Sequence, residues 1–406
     1  METSEVAGAQ RPIPWHVPMS GRDPTEAHRA ASPLELLFDL CFVVAVAQAA
    51  TALHHDLSDG EFGHGVLAYL IVFFTVWWPW MNFSWFASAY DTDDVPYRLL
   101  TFVQIAGVLV VAAGVPRVFD ELDFSIVVTG YVIMRSALVA QWLRAATEDP
   151  AGRPVALRFA AAVGLVQLLW VVRLGIAPPF GLALILIFGV IELLIPWWAE
   201  RSGRPTPWHP SHIAERYALF TIIVLGECVL AATTAIQAAL VSAGVSGALI
   251  AVSIGGLLLV FAMWWSYFKM PAAIGQLREL RWQIAWGYGH YFIFAAVAAL
   301  GAGLQVAADA VTDPAHLPAI PAALTVAVPT AIYLIGIAVL HRRRRSWRDM
   351  SRLAIAALLV VAMALTAGVL GVPIAVLGIG VLVGCVVAVN VVAGRAPRAG
   401  GHASPV

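Results

Sequence analysis

The sequence contains few charged residues for its length. Charged residues make up 12% of the 406 residues, whereas soluble globular proteins contain about 25%. Hydrophobic residues make up 60%, and the mean hydropathy is +0.82. This composition excludes an ordinary soluble enzyme and a disordered chain. The 24 Lys and Arg residues nearly balance the 25 Asp and Glu residues, so no basic excess attracts a polyanion, and we expect no nucleic-acid partner.

Cysteines and short catalytic motifs are also scarce or absent. The three cysteines, Cys41, Cys228 and Cys385, lie in apolar runs, form no Cys-x-x-Cys pair and suggest no disulfide framework. The chain has no GxxxxGK(S/T) phosphate-binding loop, no GxSxG nucleophile motif and no HExxH zinc motif. These absences exclude a P-loop ATPase, and we predict neither a cofactor nor a catalytic residue.

What the sequence does contain is a series of long apolar runs. A membrane-spanning helix needs roughly 20 apolar residues, and about twelve stretches reach that length. The runs are continuous, whereas the strands of a membrane barrel alternate apolar and polar residues. The sequence therefore predicts an all-α polytopic membrane protein whose main partner is the lipid bilayer. The predicted spans are 34–54, 64–89, 97–116, 123–143, 155–174, 178–198, 211–236, 244–268, 284–306, 317–340, 352–369 and 371–394.

The arginines and lysines predict the orientation of these spans. With the N-terminus inside, every Lys and Arg lies in a cytoplasmic segment except Arg117 and Arg173, which are outside, and Arg135, which is within a span. Cytoplasmic loops of membrane proteins carry such an excess, and the arginine run at 342–345 is expected to be a topology anchor. Residues 1–33 lack the apolar core of a secretory signal, so we expect both termini to be cytoplasmic.

An internal duplication is predicted from features that recur along the chain. Glu35 and Glu215 each lie at a predicted cytoplasmic helix start and are followed by an aromatic residue, and the next span carries a Trp pair at Trp77 and at Trp264. Interfacial Trp pairs also arise independently. Two parallel six-helix repeats would place a site between the halves, near the membrane midplane. The predicted domains are the tail 1–33, the halves 34–200 and 201–394, and the tail 395–406.

Few ionisable residues lie inside the predicted spans. Such residues are costly in lipid and usually face a partner in the bundle interior. Glu35 and Asp39 are four residues apart and share one helix face, although Glu35 is also placed to cap its helix. Arg135 lies near the middle of its span, and we expect it to pair with Glu227, Asp39 or Glu192, either for function or to fix helix register. The candidate coupling residues are Glu35, Asp39, Arg135, Glu192, Glu215 and Glu227.

Two polar segments carry candidate metal ligands. Histidines and carboxylates suit zinc and similar ions, and clustered carboxylates suit hard divalent cations. Neither segment has the spacing of a standard zinc motif. A solvated loop is the alternative for the first segment, and capping of the third helix by Asp91 or Asp93 with pairing to Arg98 is the alternative for the second. The candidate ligands are His54, His55 and His64 in the first segment, and Asp91, Asp93 and Asp94 in the second.

Several strings resemble the low temperature requirement protein A (LtrA) family of bacterial membrane proteins. The most specific are the Glu-Leu-x-Phe-Asp string at 35–39 and the Tyr-Asp-Thr-Asp-Asp string at 90–94. Shorter matching strings are at 81–86, 103–107, 214–217 and 220–227, so the resemblance covers roughly residues 30–395. It implies a multi-pass protein of the bacterial inner membrane, in a family named for a link to growth in the cold. It implies no settled activity, substrate or catalytic residue.

The leading functional hypothesis is a secondary-transporter-like protein for an unknown small solute or ion. Asp39, Arg135, Glu192 and Glu227 would form a midplane site, and Glu35 and Glu215 would lie at matching inner gates. Proton coupling would run through Glu227 or Asp39. An ion channel is one alternative, although the chain lacks a carbonyl filter string such as TVGYG. A membrane-embedded metal-dependent or lipid-handling enzyme and an accessory or sensor protein are the others.

Overall fold

The structure, a computed structural model, describes residues 13–24, 26, 29–176, 180–269, 279–340 and 347–393. Within these residues the secondary structure is helical and contains no β-strand. Residues 1–12 of the N-terminal tail, the arginine run and the tail 395–406 lie outside the described residues. The helices are α1 (Pro33–Ser58), α2 (Phe62–Tyr90), α3 (Val95–Glu121), α4 (Ser125–Glu148), α5 (Arg153–Arg173), α6 (Phe180–Glu200), α7 (Pro210–Ala243), α8 (Gly247–Phe268), α9 (Leu280–Thr312), α10 (Ala319–Leu340), α11 (Trp347–Leu365), α12 (Ala367–Leu370) and α13 (Val372–Ala393).

Twelve helical segments of the described chain are long and apolar enough to cross a membrane. The short α12 continues α11, so the two together form one segment, Trp347–Leu370. The predicted all-α fold with twelve spans is therefore confirmed. The largest difference in limits is at α7, which was predicted to end at 236 and extends to Ala243.

Side chains at the helix starts and a glycine at one turn set several helix limits. Ser32 and Glu35 form a capping box at α1, in which each side chain accepts a hydrogen bond from the other residue's backbone N–H. Asp94 caps α3 and Ser246 caps α8. Gly371 has φ of +82°, a left-handed conformation that favours glycine. It allows a tight turn between the last two spans, whose predicted limits leave only residue 370 between them.

Helices α2 and α9 are the most enclosed in the bundle. In the most apolar 18 residues of α2, 72% of residues are buried inside the protein, and in those of α9 the share is 78%. The corresponding share is 28% for α6 and for Pro210–Ser242 of α7. The outward faces of α6 and α7 are therefore available to lipid. Polar side chains on α2 and α9 must find their partners within the protein, because lipid offers none.

Many equivalent helices pack together in both predicted halves, although α8 packs extensively on α13 and α2 has no comparable contact with α6. Helix α1 packs on α2 and α3, and the contacts continue from α3 to α4, from α4 to α5 and from α5 to α6. In the second half, α7 packs on α8 and α9, and the contacts continue from α9 to α10, from α10 to α11 and from α11 to α13. Helix α1 also contacts α7 and α9. This correspondence supports the predicted duplication, which stays a prediction.

The described residues before α1 lie across one end of the bundle. The backbone N–H of Arg22 donates to the Ala89 carbonyl at 3.0 Å. The N–H of Val17 donates to the Asp94 carboxylate at 2.8 Å, and the N–H of Met19 donates to Glu148 at 2.5 Å. We call this end the N-terminal side; the arginine distribution predicts that it is cytoplasmic.

Candidate functional site

A fully buried group of charged side chains joins α1 to α7. Arg216 Nη2 lies 2.5 Å from Asp39 Oδ1, and Arg216 Nη1 lies 2.9 Å from Glu35 Oε1. His212 Nε2 lies 3.2 Å from Glu35 Oε2, and Trp80 Nε1 donates to Asp39 at 2.7 Å. We call these five residues the α1–α7 cluster. Each of them has no exposed surface, so the ions can be stable only because they satisfy one another.

The charge balance of the α1–α7 cluster depends on His212. One guanidinium faces two carboxylates, which leaves one negative charge when His212 is neutral. A proton on His212, next to Glu35, neutralises the cluster. The capping box holds Glu35 at the start of α1, while His212 and Arg216 are one turn apart on α7. The first helices of the two predicted halves are thus joined by ion pairs.

A second buried group surrounds Glu192 within the first predicted half. Arg135 Nη2 lies 2.9 Å from Glu192 Oε2, which also accepts Trp78 Nε1 at 2.8 Å. Glu192 Oε1 accepts the Tyr131 hydroxyl at 3.0 Å and Gln167 Nε2 at 3.3 Å. We call these five residues the Glu192 cluster. The carboxylate therefore has four donors contributed by α2, α4 and α5, and it fixes α6 against them.

Several polar atoms at the Glu192 cluster have no protein partner. They are Nε and Nη1 of Arg135, Oε1 of Gln167, and Nε1 of Trp170, whose ring lies edge-on to Tyr131 at 6.0 Å. An unsatisfied polar group in a protein interior costs roughly 1–3 kcal/mol. These atoms give the interior of the first half hydrogen-bonding capacity that the Glu192 cluster does not use.

The structure confirms one expected ion pair and gives Asp39 a partner that was not expected. Arg135 pairs with Glu192, one of its three predicted partners. Asp39 instead binds Arg216, a residue that the sequence suggested only as a cytoplasmic topology charge. Arg216 reaches Asp39 because it begins the adjacent helix α7. Within the described chain, no hydrogen bond or ion pair joins the α1–α7 cluster to the Glu192 cluster. The predicted midplane site of Asp39, Arg135, Glu192 and Glu227 is therefore not one hydrogen-bonded group, and it stays a prediction.

Glu215 and Glu227 belong to neither cluster. Both side chains are half-buried, and neither has a side-chain hydrogen bond or ion pair within the described part of the chain. Glu215 lies beside Arg216 on α7 without entering the cluster, so it does not match the buried Glu35. Glu227 lies further along α7. Their predicted roles in coupling stay predictions.

The acidic segment after α2 is occupied by arginines. Asp94 caps α3 by accepting the Tyr97 N–H at 3.0 Å, and its other oxygen lies 2.6 Å from Arg144. Asp93 pairs with Arg98 at 2.8 Å, as expected. Burial opposes ionisation of Asp94, but its hydrogen bonds from Arg144 hold the pKa of the carboxyl well below its usual range. The capping residue is therefore Asp94, not Asp91 or Asp93 as predicted.

Asp91, three residues before Asp94, is also largely enclosed. Its side chain is 10% exposed and lies 3.3 Å from Arg29, which also donates to the carbonyls of Ala87 and Ser88. Burial is the main cause that raises the pKa of Asp91 to about 6, and the Glu35 carboxylate adds to it. This segment and the N-terminal residues are thus held together by ion pairs.

The geometry does not support the metal-binding interpretation. No group of three or more His, Cys, Asp or Glu side chains among the described residues is arranged to hold a metal ion. His54 lies 2.6 Å from Asp309, His64 lies 2.9 Å from Asp56, and His55 is exposed. His54 and His55 are in the last turn of α1, not in a loop as expected. His54 and His64 therefore each pair with one carboxylate, as the acids of the other segment pair with arginines, and they form no metal-ligand set.

A partly enclosed cavity of about 280 Å³ lies near the N-terminal side. Its walls come from α2, α4, α5, α6, the segment 205–208 and the start of α9, so both predicted halves contribute. The polar side chains of its lining are Asn82, Glu200, Thr206, Gln283 and the Tyr288 hydroxyl. The aromatic lining residues are Trp85, Phe86, Trp142, Phe159, Trp208 and Tyr288.

Comparison with known proteins identifies the family. The family model described as bacterial low temperature requirement A protein (LtrA) matches residues 30–391. The chain belongs to the LtrA family. A curated relative, Uncharacterized protein RA0937 of Rhizobium meliloti (strain 1021), is 30% identical over 257 residues, which cover 61% of this chain and 60% of the relative. The chain thus aligns with less than two thirds of that relative's length.

The two strings most specific to the LtrA resemblance both lie in ion-pair systems. The string at 35–39 supplies both acids of the α1–α7 cluster, and the string at 90–94 supplies the acids that bind Arg29, Arg98 and Arg144. In this multi-pass protein of a bacterial family, the acids of these two strings therefore form ion pairs that join helices at one end of the bundle.

Sequence reasoning missed the basic side of the α1–α7 cluster. His212 and Arg216 are four residues apart at the start of α7, as Glu35 and Asp39 are at the start of α1. The signal that could have found this pairing was the equal four-residue spacing of two acids and two basic residues at matching positions of the predicted repeats. The aromatic cavity had no comparable signal, because its lining comes from six distant segments.

Proposed function

We propose that this protein is a secondary-transporter-like carrier whose solute binds in the aromatic cavity. The observation that carries the proposal is that helices of both predicted halves bound this cavity, at α2, α4, α5 and α6 on one side and α9 on the other. In transporters built from repeats, binding sites lie between the repeats, which then move against each other. We take the N-terminal side to be cytoplasmic and the membrane to be the inner membrane.

The buried clusters have a different role in this proposal from the one the sequence suggested. The Glu192 cluster fixes helices within one half, and the α1–α7 cluster joins the two halves near the cavity. The charged groups of an ion pair can change partners when the protein changes conformation. While the ion pair is intact, however, those groups bind no solute. Glu227 forms no ion pair in the described chain. It therefore stays the candidate residue for proton coupling, while the aromatic cavity binds the solute.

Accessibility from the two sides of the membrane tests the carrier function without a known solute. In a variant without the native cysteines, Gln283→Cys places a thiol in the cavity lining. Membrane-impermeant maleimide, applied to oriented vesicles, should label it from the N-terminal side and, more slowly, from the opposite side. As a control, Glu121→Cys at the exposed end of α3 should be labelled from the opposite side only. Labelling of position 283 from the N-terminal side alone would overturn the proposal.

A further inference from the structure

The aromatic side chains of the cavity form two packed walls. The rings of Trp85 and Trp208 meet edge to face with centroids 4.8 Å apart. Across α4 and α5, Trp142 stacks on Phe159 at 4.4 Å with an interplanar angle of 8°, and Phe86 packs edge-on to Trp142 at 4.8 Å. Rings held by one another present fixed faces and edges to a guest. The negative face of an indole attracts cations, and Trp is the most effective residue for this.

Glu200 is the only charged side chain among the described residues that line the cavity. Both of its oxygens accept hydrogen bonds from Thr206, one from the hydroxyl and one from the backbone N–H. It forms no ion pair within the described chain. The guanidinium of Arg158 donates instead to the carbonyls of Ala199 and Ser202. The Glu200 carboxylate therefore has no direct ion-pair partner in the described chain, and Arg158 acts on it only by longer-range attraction.

We propose that the cavity binds an organic cation with an apolar body, so that the cation lies beside Glu200 and the body against the tryptophans. An anion would be repelled by the carboxylate and by the negative ring faces. A neutral apolar guest would cover a carboxylate without compensating its charge, which is costly. A cation gains from both features at once. The claim that such a cation is transported rests on the proposed carrier function. The claim that the cavity binds the cation does not depend on it.

Binding of matched probes to the full-length protein in lipid nanodiscs tests this proposal. Phenyltrimethylammonium, its neutral isostere tert-butylbenzene and the anion 4-tert-butylbenzoate have similar shapes and different charges. We expect the cation to quench the fluorescence of the cavity tryptophans saturably and the anion to have no such effect. The neutral isostere should bind about tenfold more weakly than the cation or worse. Equal affinity for the cation and its neutral isostere would overturn the proposal.

Two substitutions locate the charge that selects the cation. Glu200→Gln keeps an acceptor for Thr206 and should weaken phenyltrimethylammonium binding about tenfold, whereas Glu121→Gln, which removes the same charge from the exposed end of α3, should leave it unchanged. Gln283→Glu adds a second carboxylate to the lining and should tighten binding. An unfolding midpoint of Glu200→Gln equal to that of the wild type would show that this variant is folded. If Glu200→Gln does not fold, Gln283→Glu decides the test. Phenyltrimethylammonium binding to Gln283→Glu that is no tighter than to the wild type would then overturn the proposal.

Uptake into proteoliposomes separates this proposal from the carrier function. Saturable binding of the cation without accumulation would overturn the carrier function and leave the cation site in place. Accumulation of the cation and of its neutral isostere at equal rates through the wild-type protein, compared with empty liposomes, would overturn the cation assignment and leave the carrier function in place.

Discussion

Arg216 on α7 donates two hydrogen bonds to Asp39 on α1, at 2.5 and 3.2 Å, and both side chains are fully buried. Arg216 also binds Glu35 one turn before Asp39. A single guanidinium therefore neutralises acids at two levels of α1. Because α1 and α7 are the first helices of the two predicted halves, this arginine joins those halves at the N-terminal side.

Removing the guanidinium of Arg216 should destabilise the protein strongly. Arg216→Met leaves two buried carboxylates without their cation, which typically costs about 3–5 kcal/mol. We expect a large fall in the thermal unfolding midpoint of the protein in detergent. The control Arg201→Met changes an exposed arginine that lies over the Trp198 ring, and it should have little effect.

The carboxylates provide the internal test of this interpretation. If the loss in Arg216→Met comes from stranded negative charges, then adding Glu35→Gln and Asp39→Asn should recover part of the midpoint, since neutral amides are less costly to bury. A triple variant less stable than Arg216→Met would show that packing around the guanidinium, and not charge, is responsible.

Arg135 and Glu192 should be strongly coupled in a double-mutant cycle. Each single change, Arg135→Met or Glu192→Met, leaves an unpaired buried ion, whereas the double change removes both. We expect the double variant to lose less stability than the two singles added together, by about 1–3 kcal/mol. Midpoints measured in the same detergent give the cycle. Additive losses would show that Glu192 is held by Trp78, Tyr131 and Gln167 without Arg135.

The sequence predicted these features to different degrees for physical reasons. Span number followed from continuous apolar runs, and the pairing of Arg135 followed from the cost of a lone charge in lipid. The partner of Asp39 did not follow, because Arg216 lies near a helix end, where an arginine also fits as a topology signal. Glu35 was expected to cap α1, and it does, but the capping box did not reveal its second role with His212.

The acidic segment illustrates a further limit of sequence reasoning. Three acids in four residues are equally consistent with a cation site and with separate arginine partners. Two of those partners, Arg29 and Arg144, are distant in the sequence from the acids they bind. Only the packing of the N-terminal residues and α4 against this segment distinguishes the two interpretations.

Asp91 should make stability depend on pH in a direction opposite to that of most carboxyls. Burial raises its pKa to about 6 in the folded protein, against about 3.9 when unfolded. The folded state therefore binds the proton more tightly, and its contribution to stability is complete below about pH 4 and is lost as pH rises to about 6. The total is about 3 kcal/mol at most.

Asp91→Asn removes that titration, and although it also removes the charge that pairs with Arg29, its unfolding midpoint relative to the wild type should be higher at pH 7 than at pH 4. The amide can still accept the Asp93 N–H, which Asp91 accepts at 2.9 Å. Asp93→Asn is the matched control, because it removes a half-exposed carboxyl of the same segment. A wild-type midpoint that is unchanged by Asp91→Asn at both pH values would contradict the assignment.

Glu227 should make the accessibility of the cavity depend on pH. A half-buried carboxyl on a spanning helix is costly when ionised, so its proton should bias a carrier between its two conformations. In the cysteine-free variant with Glu227 unchanged, labelling of Gln283→Cys from the opposite side should change with pH. Glu227→Gln fixes the neutral form and should remove that dependence without lowering the unfolding midpoint, since no ion pair of the described chain is broken. Glu121→Gln should keep it. If Glu227→Gln retains the full pH dependence, another group carries the proton, and Glu227 has no part in the coupling.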